Sequence, residues 1–194
     1  MIKKSIEPQK IEFFPLTPKR WEDFETLFGP NGACAGCWCM WWRMNHKEFT
    51  TSGKEGLKNA LRTLVHRGVE AGLLAYADGI PAAWVTVAPR MDYVRLETSQ
   101  ILAPVDDQPV WSMPCFFIHK NYRQTGMMGK LIHAAVEYAQ AHGAKIMEAY
   151  PYEPQKKMSA LSIYTGVAST FRKEGFVEVA RRSKQRPVMR KEIG

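Results

Sequence analysis

The sequence predicts a mixed α/β fold on three observations. Asp78-Gly79, a tight-turn dipeptide, sits inside GLLAYADGIPAAWVTVAP between two apolar runs and predicts an antiparallel hairpin. PVWSMPCFFIHK reads as a strand apolar enough to be central. Behind it Met128, Leu131, Ile132, Ala135, Val136 and Ala139 recur at helical spacing, closed by His142-Gly143. At 194 residues, with 45% hydrophobic and 24% charged, the chain suits one soluble globular domain.

The remaining elements follow in order. IEFFPL (11–16) reads as a first strand. Thr17 is placed to cap a helix with Pro18 at its first position, and Trp21, Phe24, Leu27 and Phe28 form its apolar face before Gly29-Pro30. Residues 34–43 lack periodicity and are left unassigned. Ser52 and Glu55 form a capping box ahead of Leu57, Leu61, Leu64 and Val65, with Arg67-Gly68 ending that helix. Residues 90–109 form a connection with a short helix around Tyr93–Leu96. Pro114 lies within the strand that follows and points to an edge position or a bulge, because proline removes a ladder donor. AKIMEAY (144–150) is the next strand, and a helix is expected around Ser159–Glu174 with Gly175 at its end. FVEVARR and RPVMRKEI close the chain as two strands.

No apolar run approaches bilayer-spanning length, so no membrane partner is expected. MIKKSIEPQKIEFF lacks an apolar stretch with a cleavage site, so it reads as no secretory signal. Four cysteines in that context predict reduced thiols in a cytoplasm. The net charge of +8 raises a nucleic-acid reading, carried by Arg181, Arg182, Lys184, Arg186, Arg190 and Lys191. The cluster has no interleaved aromatics to stack bases, and a solvated strand is the reading preferred.

The chemistry concentrates in CFFIHKNYRQTGMMGKLIHAAVEYA, where a strand runs through a short turn into a helix. The first N–H groups of a helix lack internal partners and carry partial positive charge, so such a turn can cradle a pyrophosphate. Its spacing matches neither the P-loop nor the dinucleotide GxGxxG. The strand followed by Arg123-Gln124-Thr125-Gly126-Met127-Met128-Gly129 and an amphipathic helix resembles the acyl-CoA loop of the GNAT superfamily of N-acetyltransferases, Arg/Gln-x-x-Gly-x-Gly/Ala. Phe171-Arg172-Lys173-Glu174-Gly175-Phe176 resembles a later element of that family. The resemblance covers roughly residues 10–190. It implies a mostly antiparallel central sheet flanked by helices, with the acyl-CoA loop between a central strand and the next helix.

The resemblance further implies an acetyl-CoA-dependent N-acetyltransferase that acts on a primary amine of a small molecule or peptide. Phe117 and Ile118 would lie beside the pantetheine, and a backbone N–H there would polarise the thioester carbonyl. The segment Arg123, Gln124, Thr125, Gly126, Met127, Met128 and Gly129 would hold the pyrophosphate. Two residues depart from the pattern: Met128 stands where Gly or Ala is usual, and Phe171 stands where many members have a proton-donating tyrosine. Another group, water or unassisted departure of the thiolate must then serve; of Tyr164, Ser169 and Thr170 nearby, Tyr164 is the preferred replacement. A base or water chain must deprotonate the amine, and Glu148 is the leading candidate, with Glu97 and His119 behind it; an ordinary strand carboxylate paired with a basic neighbour is the equal alternative for Glu148. A non-catalytic acyl-CoA sensor is the alternative that Phe171 raises. The last strands of such folds often pair between subunits, so a homodimer stays open.

CAGCWCMWWR (34–43) holds three cysteines and three tryptophans. Cys34, Cys37 and Cys39, with Cys115 or His46 as a fourth ligand, suggest zinc, but no second CxxC accompanies them and no metal is expected. Trp38, Trp41, Trp42 and Arg43 are instead expected to wall the acceptor pocket, where ring faces suit an apolar or cationic group.

Overall fold

The computed structural model describes residues 7–69, 71–155 and 163–194. Seven strands form one sheet: β1 (Ile11–Pro15), β2 (Leu73–Ala77), β3 (Ile80–Pro89), β4 (Trp111–Ile118), β5 (Ile146–Ala149), β6 (Val177–Arg181) and β7 (Pro187–Glu192). The strand order is β1-β2-β3-β4-β5-β7-β6. Every pairing is antiparallel except β4 with β5. The mixed, mostly antiparallel sheet that the resemblance implied is the one observed.

The helices are α1 (Trp21–Phe28), α2 (His46–His66), α3 (Val94–Glu97), α4 (Met127–Ala141) and α5 (Ala168–Lys173). They divide between the two faces of the sheet, and strand alternation feeds both cores. Ala83, Val85 and Val87 of β3 pack with Leu131, Ile132 and Ala135 of α4. Trp84 packs on the opposite face with Phe24 and Phe28 of α1 and with Leu61 of α2. Among the described residues no helix is long and apolar enough to cross a membrane.

Several local expectations need correction. Thr17 makes no capping bond, and a 3-10 turn at Pro18–Arg20 precedes α1. The capping box of α2 is Asn45 with Glu48, not Ser52 with Glu55, so the helix begins earlier than its apolar stripe. Gly53 (φ 61°, ψ 175°) kinks it close to the expected start. The expected helix around Ser159–Glu174 is only Ala168–Lys173 among the described residues. Its first part, 159–162, lies outside them.

Pro114 marks a bulge inside a central strand. Thr86 faces Cys115 and Ala88 faces Ser112, so two residues of β4, Met113 and Pro114, stand opposite Val87 alone. The missing donor falls where the ladder is already interrupted. β4 then pairs with β5 only at Trp111 with Met147 and Ser112 with Glu148. Beyond Ser112 the two strands part, and among the described residues that edge of β4 has no strand partner from the bulge to Ile118.

Candidate active site

Backbone direction decides what that open edge offers. The His119 N–H donates to Ala82 O of β3 at 2.9 Å, and the Phe116 N–H donates away from β3 to Tyr164 O at 2.7 Å. N–H directions alternate along a strand, so the Phe117 N–H is turned into the β3 ladder and the Ile118 N–H faces the open edge. Of the two expected contacts, Ile118 supplies a main-chain donor and Phe117 supplies only a ring.

The turn after β4 completes a cavity of about 580 Å³. The Arg123 guanidinium donates through Nε to Ile118 O at 3.0 Å, tying the turn to the strand end. Gln124 (φ 65°) and Gly126 (φ 74°) both adopt left-handed backbone, and Gly126 is the residue that admits the chain into α4. The unbonded N–H groups of the first turn of α4 open beside this cavity. Ile118, Arg123, Gln124, Gly126, Met128 and Gly129 line it, as does Met127, whose side chain is buried in the core. Thr125 does not line it; its hydroxyl donates back to Tyr122 O at 2.7 Å.

Met128 has a structural partner that explains its presence. A Cβ on Gly166 would lie 2.0 Å from Met128 Cε, so the thioether rests directly on a bare glycine. Phe171, the other departure, is fully buried against Phe116 and Phe176, with centroids 5.9 and 5.2 Å apart. It is core.

A second cavity of about 290 Å³ joins the first, sharing Cys34, Phe116, Phe117 and Tyr164 with it. Trp41, Trp42 and Phe49 form its aromatic wall, and Cys37, Cys39 and Cys115 add three more thiols to that of Cys34. Ala33, Ala35, Trp38 and Cys39 all carry positive φ (62°, 56°, 43° and 57°). Each such residue costs about 1–2 kcal/mol, so the loop that presents these thiols is strained. Packing holds Trp41 in place: Arg95 stacks 3.7 Å from its centroid while donating through Nε to Met44 O.

Of the four residues expected to wall an acceptor pocket, Trp41 and Trp42 line this cavity and Trp38 and Arg43 do not. Trp38 is buried in the core, stacked on Phe28 at 5.7 Å. The Arg43 side chain is 4% exposed, donates to Asp92 at 3.2 Å and packs over the Tyr93 ring at 4.9 Å. Sequence proximity to the aromatic pair misled because the loop reverses direction between neighbours. The four thiols do not form a metal cage: among the described residues no three His, Cys, Asp or Glu side chains converge. Burial pushes the Cys37 thiol up to about 12. Cys39 is raised by its contact with Cys115, whose Sγ lies 3.9 Å away, and then by burial.

The expected bases all lie elsewhere. Glu148 is fully buried and lines neither cavity; its Oε1 accepts from Arg90 Nη1 (2.8 Å) and Tyr150 Oη (2.6 Å), and its Oε2 from Arg190 Nε (2.7 Å). Both carboxylate oxygens are thus engaged within the core, away from either cavity. Glu97 is ion-paired to Arg90 at 2.9 Å, outside both cavities. His119, its pKa lowered by burial, also lines neither. Tyr164 lines both, and burial pushes its phenol up to about 12 against an opposing pull from Arg186.

The basic C-terminal cluster is largely spoken for. Arg181 pairs with Glu178 at 2.6 Å and Glu153 at 2.5 Å, Arg182 donates to Ala103 O and Pro104 O, and Arg190 pairs with Asp106 and Glu148. Acids distant in sequence neutralise charges that look unopposed along the chain.

The sheet is split open at its one parallel strand pair, and a glycine turn leads from the split strand into a helix, the arrangement of an α/β protein with a cleft at the split. Residues 31–161 match the family model described as "Acetyltransferase (GNAT) family", and the chain belongs to that family. Among solved structures it is similar to the PaiA N-acetyltransferase of Thermoplasma acidophilum in complex with coenzyme A, at 13% identity and TM-score 0.53, over 95% of this chain and 99% of that one. A GNAT-family acetyltransferase from Streptococcus agalactiae matches at 12% identity and TM-score 0.57, over 95% and 96%. The aminoglycoside N-acetyltransferase AAC(6')-Iy in complex with CoA matches at 16% identity and TM-score 0.53, over 90% and 92%. At these identities the likeness is one of fold. No curated protein matches the chain.

Proposed function

We propose that this protein is an acetyl-CoA-dependent N-acetyltransferase that uses residues Phe117–Gly129 to hold the donor and the thiol-lined cavity to hold the acceptor amine. The observation that carries the reading is the outward N–H of Ile118, set on an open strand edge that leads straight to the N-terminus of α4. The pyrophosphate has a partner in the free N–H groups of the Gln124–Gly129 turn, with Arg123 beside it. All seven strands belong to one sheet, which supports reading residues 1–194 as one domain. Four free cysteines suit a cytoplasmic setting.

In the reaction, the amine nitrogen attacks the thioester carbonyl carbon and the carbon–sulfur bond breaks. The Ile118 N–H stabilises the charge that develops on the carbonyl oxygen. A phenol held near 12 stays protonated, so Tyr164 donates a hydrogen bond to the departing sulfur rather than surrendering its proton. The proton that the sulfur finally takes is the one lost by the nitrogen. Among the described residues no carboxylate or imidazole lines either cavity, so the amine enters as its free base. The apolar walls favour that neutral form.

The test is release of CoA thiol from acetyl-CoA across a panel of primary amines, with product mass measured in parallel. An amine-dependent rise in thiol with a matching N-acetyl product supports the reading. Bound acetyl-CoA with no transfer to any amine would leave a sensor and overturn it.

A further inference from the structure

Four thiols line the smaller cavity, and they come from two walls. Cys34, Cys37 and Cys39 stand on the loop at 33–42, and Cys115 stands on β4. All four are free. Cys39 and Cys115 lie 76 residues apart in sequence, yet the Cys39 thiol donates to Cys115 Sγ at 3.9 Å. Both residues are buried from bulk solvent and form part of the cavity wall, so a small solute meets them through that cavity.

A disulfide needs its sulfurs about 2.0 Å apart, so the contact at 3.9 Å must close by about 1.9 Å. Irregular backbone adjoins both cysteines. Cys39 has a φ of 57° in a loop where Ala33, Ala35 and Trp38 are also left-handed. Cys115 follows directly on the Met113-Pro114 bulge, where the ladder register is already broken. Trp84 Nε1–H donates to Cys39 Sγ at 3.0 Å, a bond that favours the sulfur as an anion. The contact with Cys115, and then burial, outweigh it and hold the Cys39 thiol above its ordinary range. The pair therefore answers prolonged rather than brief exposure to an oxidant.

We propose that Cys39 and Cys115 form an oxidation site for a small hydroperoxide, and that the resulting disulfide closes the acceptor side. One thiolate attacks the outer peroxide oxygen and the O–O bond breaks. That sulfur becomes a sulfenic acid, and the alcohol leaves, or water when the oxidant is hydrogen peroxide. The other sulfur, already in contact, attacks the sulfenic sulfur; the S–S bond forms and water departs. The two thiols together lose two electrons and two protons, and the peroxide takes them up. The new bond draws the loop at 33–42 toward β4 and narrows the space bounded by Trp41, Phe49 and Phe117. Neither cysteine lines the donor cavity, so the donor site is left as it was. The effect on transfer rests on the acetyltransferase reading above; the disulfide itself does not.

The test treats the intact, reduced protein with hydrogen peroxide in mildly alkaline buffer and caps the remaining thiols with N-ethylmaleimide. Mass spectrometry of the unreduced digest should show Cys39 joined to Cys115 as the main product, with Cys34 and Cys37 capped. For the primary amine that gives the fastest thiol release, KM should rise at least about tenfold, with acetyl-CoA affinity by calorimetry held within about threefold. Dithiothreitol should restore the original KM. Cys115→Ala should show the same amine KM before and after peroxide, whatever its starting value. Free Cys39 and Cys115 after peroxide, a disulfide joining Cys34 to Cys37 instead, or a Cys39–Cys115 disulfide that leaves the amine KM unmoved would overturn the proposal. The digest needs wild-type protein alone, so it decides even where the variant does not fold. Absence of transfer to any amine before treatment would instead defeat the acetyltransferase reading, while the digest still decides the oxidation site.

Discussion

The Phe116 amide donates to the Tyr164 carbonyl at 2.7 Å, across the gap where β4 and β5 part. With the Tyr152 N–H bond to Gly166 O at 2.8 Å, it holds the turn at 163–166 beside β4, where the Tyr164 side chain lines both cavities. Tyr164→Phe keeps the backbone bond and the ring while removing the hydroxyl. We expect kcat to fall about tenfold to a hundredfold with acetyl-CoA affinity nearly unchanged, because the hydroxyl serves only the leaving sulfur. Steady-state kinetics with a thiol-release readout checks this, and an unchanged kcat would remove Tyr164 from the mechanism.

The pH profile follows from the same residue. In the proposed mechanism Tyr164 acts as a donor while protonated; burial raises its pKa to about 12, so its contribution should be fully present at neutral pH and lost only as pH climbs toward that value. On the acid side the limiting species is the free amine. The logarithm of kcat/KM should rise with unit slope up to the pKa of the amine itself, whichever amine is used. A bend near pH 6 to 7 that stays fixed when the amine is changed would reveal an enzyme base that this account lacks.

Glu148→Gln reverses the expectation drawn from sequence. Two guanidiniums and a phenol converge on a carboxylate that is fully buried. Loss of its charge leaves Arg90 and Arg190 underpaired, a change that typically costs about 3–5 kcal/mol. Denaturant unfolding should show a loss near that size, with kcat per folded molecule retained. Intact stability with lost turnover would restore Glu148 to the chemistry.

The two glycines of the turn proposed to hold acyl-CoA should behave differently. A Cβ on Gly126 meets nothing within 4 Å, but its φ of 74° makes any side chain strained by about 1–2 kcal/mol. Gly126→Val should therefore displace the turn and weaken acetyl-CoA binding at least about tenfold, each factor of ten being about 1.4 kcal/mol. A Cβ on Gly129 would meet only Glu174 Oε1, at 2.6 Å, the movable end of a side chain. Gly129→Ala should bind acetyl-CoA within a few-fold of wild type by calorimetry.

Trp38 and Trp41 separate core from cavity wall. Trp38→Ala empties a buried site stacked on Phe28 and should cost about 3–5 kcal/mol. Trp41 is only partly buried, so Trp41→Ala should cost less in thermal unfolding and raise KM for the acceptor more than for acetyl-CoA.

Much of this was legible in the chain. Asp78-Gly79 placed the hairpin, Pro114 pointed to an edge position or a bulge, and the stripe from Met128 to Ala139 gave α4 and hence the glycine turn before it. What failed depends on contacts distant in sequence. Glu148 looks like an available strand carboxylate until Arg90 and Arg190 are brought to it from other strands and connections. Trp38 and Arg43 share a decapeptide with Trp41 and Trp42, but left-handed residues at 38 and 39 send the neighbours in different directions. The short spacing of Cys34, Cys37 and Cys39 suggested ligation, and only the fold adds Cys115 from β4 and makes the four a cavity lining.

The most direct test of the central claim is calorimetric titration of the intact protein with acetyl-CoA, alongside Gly126→Val. One-to-one binding that Gly126→Val weakens at least about tenfold is the result predicted. No binding to folded wild-type protein, or equal binding to both, would contradict the assignment of the Arg123–Gly129 turn as the donor site.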